Sequence, residues 1–259
     1  MRLKKPQHQK NPFLSSVDES TFYPYTARTR CLHSIIEAFQ GPDRVILVIG
    51  DFGSGKTLML QEFLADNPSS WEPCRINPRL MDELAGPRPG KMMREFKAYL
   101  HQGDGRTALL LDDAHHLETD EFLSLLRLTG LAGGDRQADK VLLFTEPSLL
   151  GSLNELSDML VDPDPVEQDE DVSEQPAEDN VRQIVIPRLT RMETETYVLK
   201  RLNSIQWNED EPLFSADDLD WVFEESGGYP GGINETAARL FTQRLKDRSR
   251  LSMFLKNFF

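Results

Sequence analysis

Cysteine is scarce in this chain of 259 residues: Cys31 and Cys74 are the only two. Two thiols are too few for a disulfide framework, and they lack the paired spacing of a zinc site. A reducing, cytoplasmic compartment is the expectation. Long apolar runs are missing as well. No stretch approaches the roughly 20 apolar residues of a membrane span, and the basic start MRLKKPQHQKNPF has no apolar h-region of a secretory signal. Positive charge is also in short supply, since 29 Lys+Arg against 43 Asp+Glu leave a formal −14. That balance repels phosphate backbones, so nucleic acid is not an expected partner.

The acidity is uneven. Between Asp162 and Asp179 lie nine acidic residues and three prolines, with no Lys or Arg. Like charges and prolines together do not pack, so residues 161–180 read as a disordered surface loop: a solvated spacer first, a docking site for a basic partner second. Removing those nine from −14 leaves −5 for the rest of the chain. The remainder is only mildly acidic.

At 39% hydrophobic, the chain has enough apolar matter for one large domain or one with a small appendage. Short aliphatic runs alternate with helical periods, the pattern of βαβ units around a parallel sheet. Strands are expected at Val45–Ile49, about Pro73–Ile76, Ala108–Leu111, Val141–Phe144 and Gln183–Ile186. Helices are expected near 27–39, 56–65, 90–101, 119–128 and 147–155. After Pro187 the pattern turns purely helical. Thr190 to Glu193 forms a capping box before Val198, Leu202 and Ile205, and Ser215 caps a helix carrying Leu219 and Val222. A glycine-rich turn at 227–232 precedes a third helix with Ile233, Ala237, Leu240 and Phe241. The fold class is therefore α/β: a parallel sheet flanked by helices, followed by a small all-helical lid. The expected organisation is an arm over 1–20, a core over 21–187, the lid over 188–248 and a tail over 249–259. Trp71, Trp207 and Trp221 are assigned to core or lid packing.

The strongest motif is Gly50-Asp51-Phe52-Gly53-Ser54-Gly55-Lys56-Thr57, set between the strand VILVI and the helix LMLQEFL. It satisfies G-x-x-x-x-G-K-[ST] in the strand–loop–helix context the motif requires. Its glycines let backbone N–H groups turn inward on phosphate oxygens, and the helix adds its positive dipole end. Lys56 is expected to reach the β- and γ-phosphates and Thr57 to hold Mg²⁺. ATP and Mg²⁺ are thus the expected cofactors. About fifty residues on, Ala108-Leu-Leu-Leu-Asp112-Asp113 supplies the partner strand. Asp112 suits Mg²⁺ coordination through water, and Asp113 suits the acid that polarises an attacking water. Aspartate reaches about one methylene less far than glutamate, so turnover is expected to be slow. His115 and His116 lack a third ligand at sensible spacing and read as structural. Phe22 to Tyr25 either stacks on an adenine or packs the arm against the core, with packing favoured.

Together, Asn11-Pro-Phe13, Tyr23 to Tyr25, the loop at 50–57, Arg75-Ile-Asn-Pro78, LLLDDAHHL, LLFTEPSLL and SGGYPGGIN resemble the AAA+ ATPase branch of general secretion pathway A (ExeA-type) proteins. Within it the pattern is most similar to the cytoplasmic N-terminal ATPase domain of DamX-type cell-division proteins. The likeness runs over about residues 11–248. It implies an ASCE-type sheet with a helical lid, and protein partners in the bacterial division or envelope machinery. It also implies a location at the inner face of the inner membrane, through a span and a SPOR domain that would follow residue 259, and a homo-oligomer. The closing segment Leu251 to Phe259 is then the juxtamembrane end of a longer protein, or else a closing helix.

Three positions depart from that pattern. Where active AAA+ proteins carry a polar sensor after the fourth strand, this chain has Thr145-Glu146, and an anion there repels phosphate unless it turns away or binds through magnesium. Gly231 stands where the lid's sensor arginine is expected. The acidic loop occupies the region of the arginine finger, and nothing in the spacing of Arg182 supports that role. Loss of such an arginine costs about 10³–10⁵ in rate. The resemblance thus implies an ATP-binding switch or scaffold with weak or partner-dependent hydrolysis. An active envelope-assembly motor comes second, and a DNA-transaction ATPase related to transposition helpers third.

Overall fold

The strands form where the sequence is most continuously aliphatic. In the computed structural model, which describes residues 11–14, 25–66, 71–76, 106–117, 120–123, 139–149, 181–205 and 212–258, five of them build one sheet. They are β1 (Val45–Ile49), β2 (Trp71–Ile76), β3 (Arg106–Leu111), β4 (Lys140–Thr145) and β5 (Val181–Val185), in spatial order β2-β3-β4-β1-β5. Every pairing is parallel. Two of the three inner strands, VILVI and KVLLFT, are buried along their whole length, as strands covered on both faces must be. The edge strand VRQIV buries only Ile184 and presents Arg182 and Gln183 to solvent.

Helix α1 (Thr26–Gln40) and helix α2 (Lys56–Asp66) pack on this sheet. Ile35 and Phe39 of α1 meet Met59, Leu60 and Phe63 of α2 over Ile46, Val48, Leu142 and Phe144. Phe39 and Phe63 stand edge to face at 4.9 Å, a geometry that adds to their area burial. Lys140 is buried at the start of β4, where its ammonium donates to the carbonyls of Gly41, at 2.6 Å, and Asp43. It satisfies carbonyls of the turn that follows α1, close to the negative end of that helix's dipole.

The chain divides into two compact units. One comprises Thr26–Phe52 and Lys56–Pro187 and carries the sheet. The other comprises Met1–Tyr25, Gly53–Gly55 and Arg188–Phe259. It holds helices α3 (Arg191–Asn203), α4 (Ala216–Ser226) and α5 (Pro230–Phe258). Both expected caps form: Thr190 Oγ1 accepts from Glu193 N–H while Glu193 accepts from Thr190 N–H, and Ser215 and Asp218 repeat the exchange. Val198, Leu202, Leu219, Val222, Ile233, Ala237, Leu240 and Phe241 are buried. The Asn11-Pro12-Phe13 segment is built into this unit. Asn11 donates to Ala238 O at 3.1 Å, Arg201 donates to Pro12 O at 2.9 Å, and the Phe13 ring lies against Phe214 and Phe241.

Several expectations need correction. Helix α5 starts at Pro230 inside the glycine-rich turn, because a proline's fixed φ and missing N–H suit the first helical turn. It continues through Phe258, so the closing segment, expected as a juxtamembrane end or a closing helix, is helical. Trp221 is 41% exposed, so it is not a packing residue; Arg239 lies over its ring instead. Tyr25 is buried, whereas 22–24 lie outside the described residues. So do the helix expected at 90–101, the acidic loop 161–180, Trp207 and most of the helices expected at 119–128 and 147–155, of which 120–123 and 148–149 are helical. Among the described residues, no helix is long and apolar enough to cross a membrane.

Candidate functional site

The parallel sheet carries the carboxyl ends of β1, β3 and β4 to one edge, and every residue of interest emerges there. Strand β4 lies between β1 and β3, so the loop after β1 and the acidic pair after β3 flank the end of β4. Open α/β sheets bind ligands at this edge.

Gly50 N–H donates to Thr145 O at 2.9 Å, anchoring the loop at its first residue. Gly53 and Gly55 then take φ of 75° and 89°, a region that costs a side chain energy and costs glycine nothing. The chain enters α2 directly at Lys56. Lys56 is buried, and its ammonium donates to Gly50 O at 2.8 Å and Asp51 O at 3.2 Å, drawing the loop closed around it. Ser54 is buried too, and its hydroxyl has no hydrogen-bond partner among the described residues. A polar atom so placed is expensive to leave unmatched. Thr57 and Asp51 are half-buried, and Phe52 at the loop tip is 84% exposed. Within the helical unit, Gly231 N–H donates to Gly53 O at 2.8 Å, and a Cβ on Gly231 would fall 2.7 Å from Gly53 Cα. No side chain fits that approach.

Asp112 is buried at the end of β3, where its Oδ1 accepts from Asp113 N–H at 3.2 Å. Asp113 holds φ 53° and ψ 40°, the one non-glycine residue with positive φ among those described. That conformation costs about 1 kcal/mol or more, and strain of this kind clusters at functional sites. A short 3₁₀ turn, Ala114–His116, follows.

Sequence reasoning missed one part of this edge. Glu146, directly after β4, points neither away nor toward an unoccupied side: its Oε1 lies 3.6 Å from Lys56 Nζ. It is also 3.8 Å from His115 Nε2, which gives that histidine a carboxylate neighbour the linear spacing did not reveal. Residues 31 positions apart meet because β3 and β4 are adjacent. Burial lowers the His115 pKa below its ordinary value, and this outweighs the pull of Glu146 in the other direction. The imidazole is therefore neutral near pH 7. Among the described residues, no group of three His, Cys, Asp or Glu side chains converges as a metal site by itself.

This arrangement of loop, inserted strand and acidic pair has the fold of an AAA+-type P-loop domain. Residues 40–153 match the family model of the AAA domain. The match takes in the loop, Asp112, Asp113 and Glu146. No protein of curated function matches the chain. Among solved structures, the fold is similar to Aeropyrum pernix Orc1 in complex with DNA, at 14% identity and TM-score 0.55 over 91% of this chain and 65% of that one. It is also similar to Hsp104 with ATPγS and FITC-casein, at 13% identity and TM-score 0.58 over 89% of this chain and 41% of that one. Domain III of the Thermotoga maritima replication initiation protein DnaA gives 16% identity and TM-score 0.51 over 88% and 95%. The chain thus spans less than two thirds of the Orc1 and Hsp104 chains. At such identities the likeness establishes the AAA+ fold and nothing finer.

Proposed function

We propose that the edge at Gly50–Thr57 binds ATP with Mg²⁺ and that the chain works as a nucleotide-dependent switch or scaffold. The observation that carries this reading is the buried, unmatched Ser54 hydroxyl inside a loop whose two positive-φ glycines turn its backbone around Lys56. Such a loop fits phosphate oxygens, which supply the acceptor that the Ser54 hydroxyl lacks and suit the positive N-terminal end of α2. Lys56 supplies the countercharge. Thr57 and Asp112 would hold the magnesium, which when bound neutralises phosphate charge.

Hydrolysis is slow or partner-dependent in this reading. Asp113 is the residue that would orient water, with a shorter reach than glutamate. The contact of Gly231 on Gly53 leaves no room for a side chain at the position of the sensor arginine. The biological setting is proposed from the motif resemblance: bacterial division or envelope biogenesis at the inner face of the inner membrane, with protein partners and self-association. A DNA-transaction role is the second reading, favoured by the fold's likeness to Orc1 and DnaA and opposed by the net charge of −14.

Titration with MgATP, followed by turnover and molecular mass in the same sample, tests the proposal. Saturable binding lost in Lys56→Ala, with turnover near background, is expected. Absence of binding in the wild type sinks it, and steady turnover lost in Asp113→Asn moves the reading to an active motor. Salt-dependent retention on duplex DNA would promote the second reading.

A further inference from the structure

Glu146 places a negative charge where the proposed ligand brings several more. Its carboxylate is not a distant surface charge: Oε1 lies 3.6 Å from the ammonium of Lys56, whose side chain is only 7% exposed. Lys56 has three N–H donors, and two are directed to Gly50 O and Asp51 O. Glu146 meets the remaining charge. His115, on the other side of that carboxylate at 3.8 Å, adds no compensating cation because burial favours its neutral form. The loop is pinned against the end of β4 by Gly50 N–H on Thr145 O, so Glu146 and the loop hold fixed positions relative to each other.

We propose that Glu146 is a resident competitor for nucleotide phosphate, neutralising Lys56 in the nucleotide-free chain and weakening the binding of every phosphorylated ligand at this loop. The inference rests on the phosphate-loop reading above and adds to it the residue that sets affinity. Phosphate has to take Lys56 from a carboxylate that is already in place, and afterwards that carboxylate remains beside the bound anion as a like charge. Partly buried charges a few ångströms apart interact several times more strongly than the same charges in bulk water. Removing the Glu146 charge therefore strengthens nucleotide binding, the opposite of what loss of an ordinary site residue does. The effect is larger for ATP than for ADP because ATP carries one more charge, and raised salt narrows it.

The test compares wild type, Glu146→Gln and Glu146→Ala in MgATP and MgADP titrations at low and high salt, with circular dichroism as the check on folding. Glu146 is 28% exposed in its side chain, so neither change opens the core. Roughly tenfold tighter MgATP binding in both neutral variants at low salt, shrinking at high salt, is expected. Unchanged or weaker binding in the variants, while wild type binds MgATP in a Lys56-dependent manner, overturns the proposal and leaves the phosphate-loop reading standing. No MgATP binding by any of the three folded chains overturns both.

Discussion

The two compact units are held together by different physics. In the sheet unit the stabilising matter is apolar and continuous: Ile46, Val48, Leu110, Leu142, Phe144 and the α1–α2 aromatics are all buried to within a few per cent. The helical unit also has an apolar seam, but its segments are fixed by polar detail. Two capping boxes set where α3 and α4 begin. Arg244 of α5 donates to Asp218 of α4 at 2.6 Å, so one carboxylate serves a cap and a helix–helix tie. Arg201 reaches the Pro12 carbonyl and Tyr197 reaches Asn234. A sheet covered on both faces gains from area alone, whereas short helices joined by turns need local signals to fix their ends.

That contrast breaks most severely at Phe63. Phe63→Ala should destabilise the sheet unit by about 3–5 kcal/mol, since it removes a fully buried ring and its edge-to-face partner. Denaturant unfolding measures the loss, and hydrogen exchange should show it in the amides of β1 and α2. A cost below about 1 kcal/mol would mean that the core there collapses freely. The helical unit should answer to smaller changes. Thr190→Ala and Ser215→Ala should each cost about 1 kcal/mol, with faster exchange confined to the first turns of α3 and α4. Equal effects on sheet amides would contradict the division of labour.

The smallest effect sharpens the comparison at the functional edge. His115 has a folded pKa below its unfolded value of 6.5 because burial disfavours the imidazolium. The unfolded chain thus binds the proton more readily, so the neutral ring contributes stability above pH 6.5 that is lost as the pH falls below it. Stability measured from pH 7.5 to 5.5 should decline more steeply in wild type than in His115→Gln. Parallel curves would show that the ring is better solvated than its burial indicates.

The sheet was legible because its strands are nearly pure aliphatic runs, and a doubly covered strand has no polar face to blur the pattern. All five strands lie within three residues of their expected ends. The loop at 50–57 was legible because its conformation demands glycines at fixed offsets. The start of α5 was misplaced because a glycine-rich stretch reads as a turn, although Pro230 opens a helix within it. Trp221 was misassigned because size and apolarity do not say which face of α4 a residue occupies.

The amino-acid sequence by itself therefore determined the α/β class, the strands, the two capped helices and the phosphate-type loop. Each depends on periodicity, capping or backbone freedom, all of which act within a few residues. Only the tertiary structure decided what stands beside Lys56. Insertion of β4 between β1 and β3 brings Glu146 to the lysine and His115 to Glu146, each from the end of another strand. The strand order of a sheet, which no local pattern encodes, sets those neighbours, and with them the charge that an incoming anion must meet.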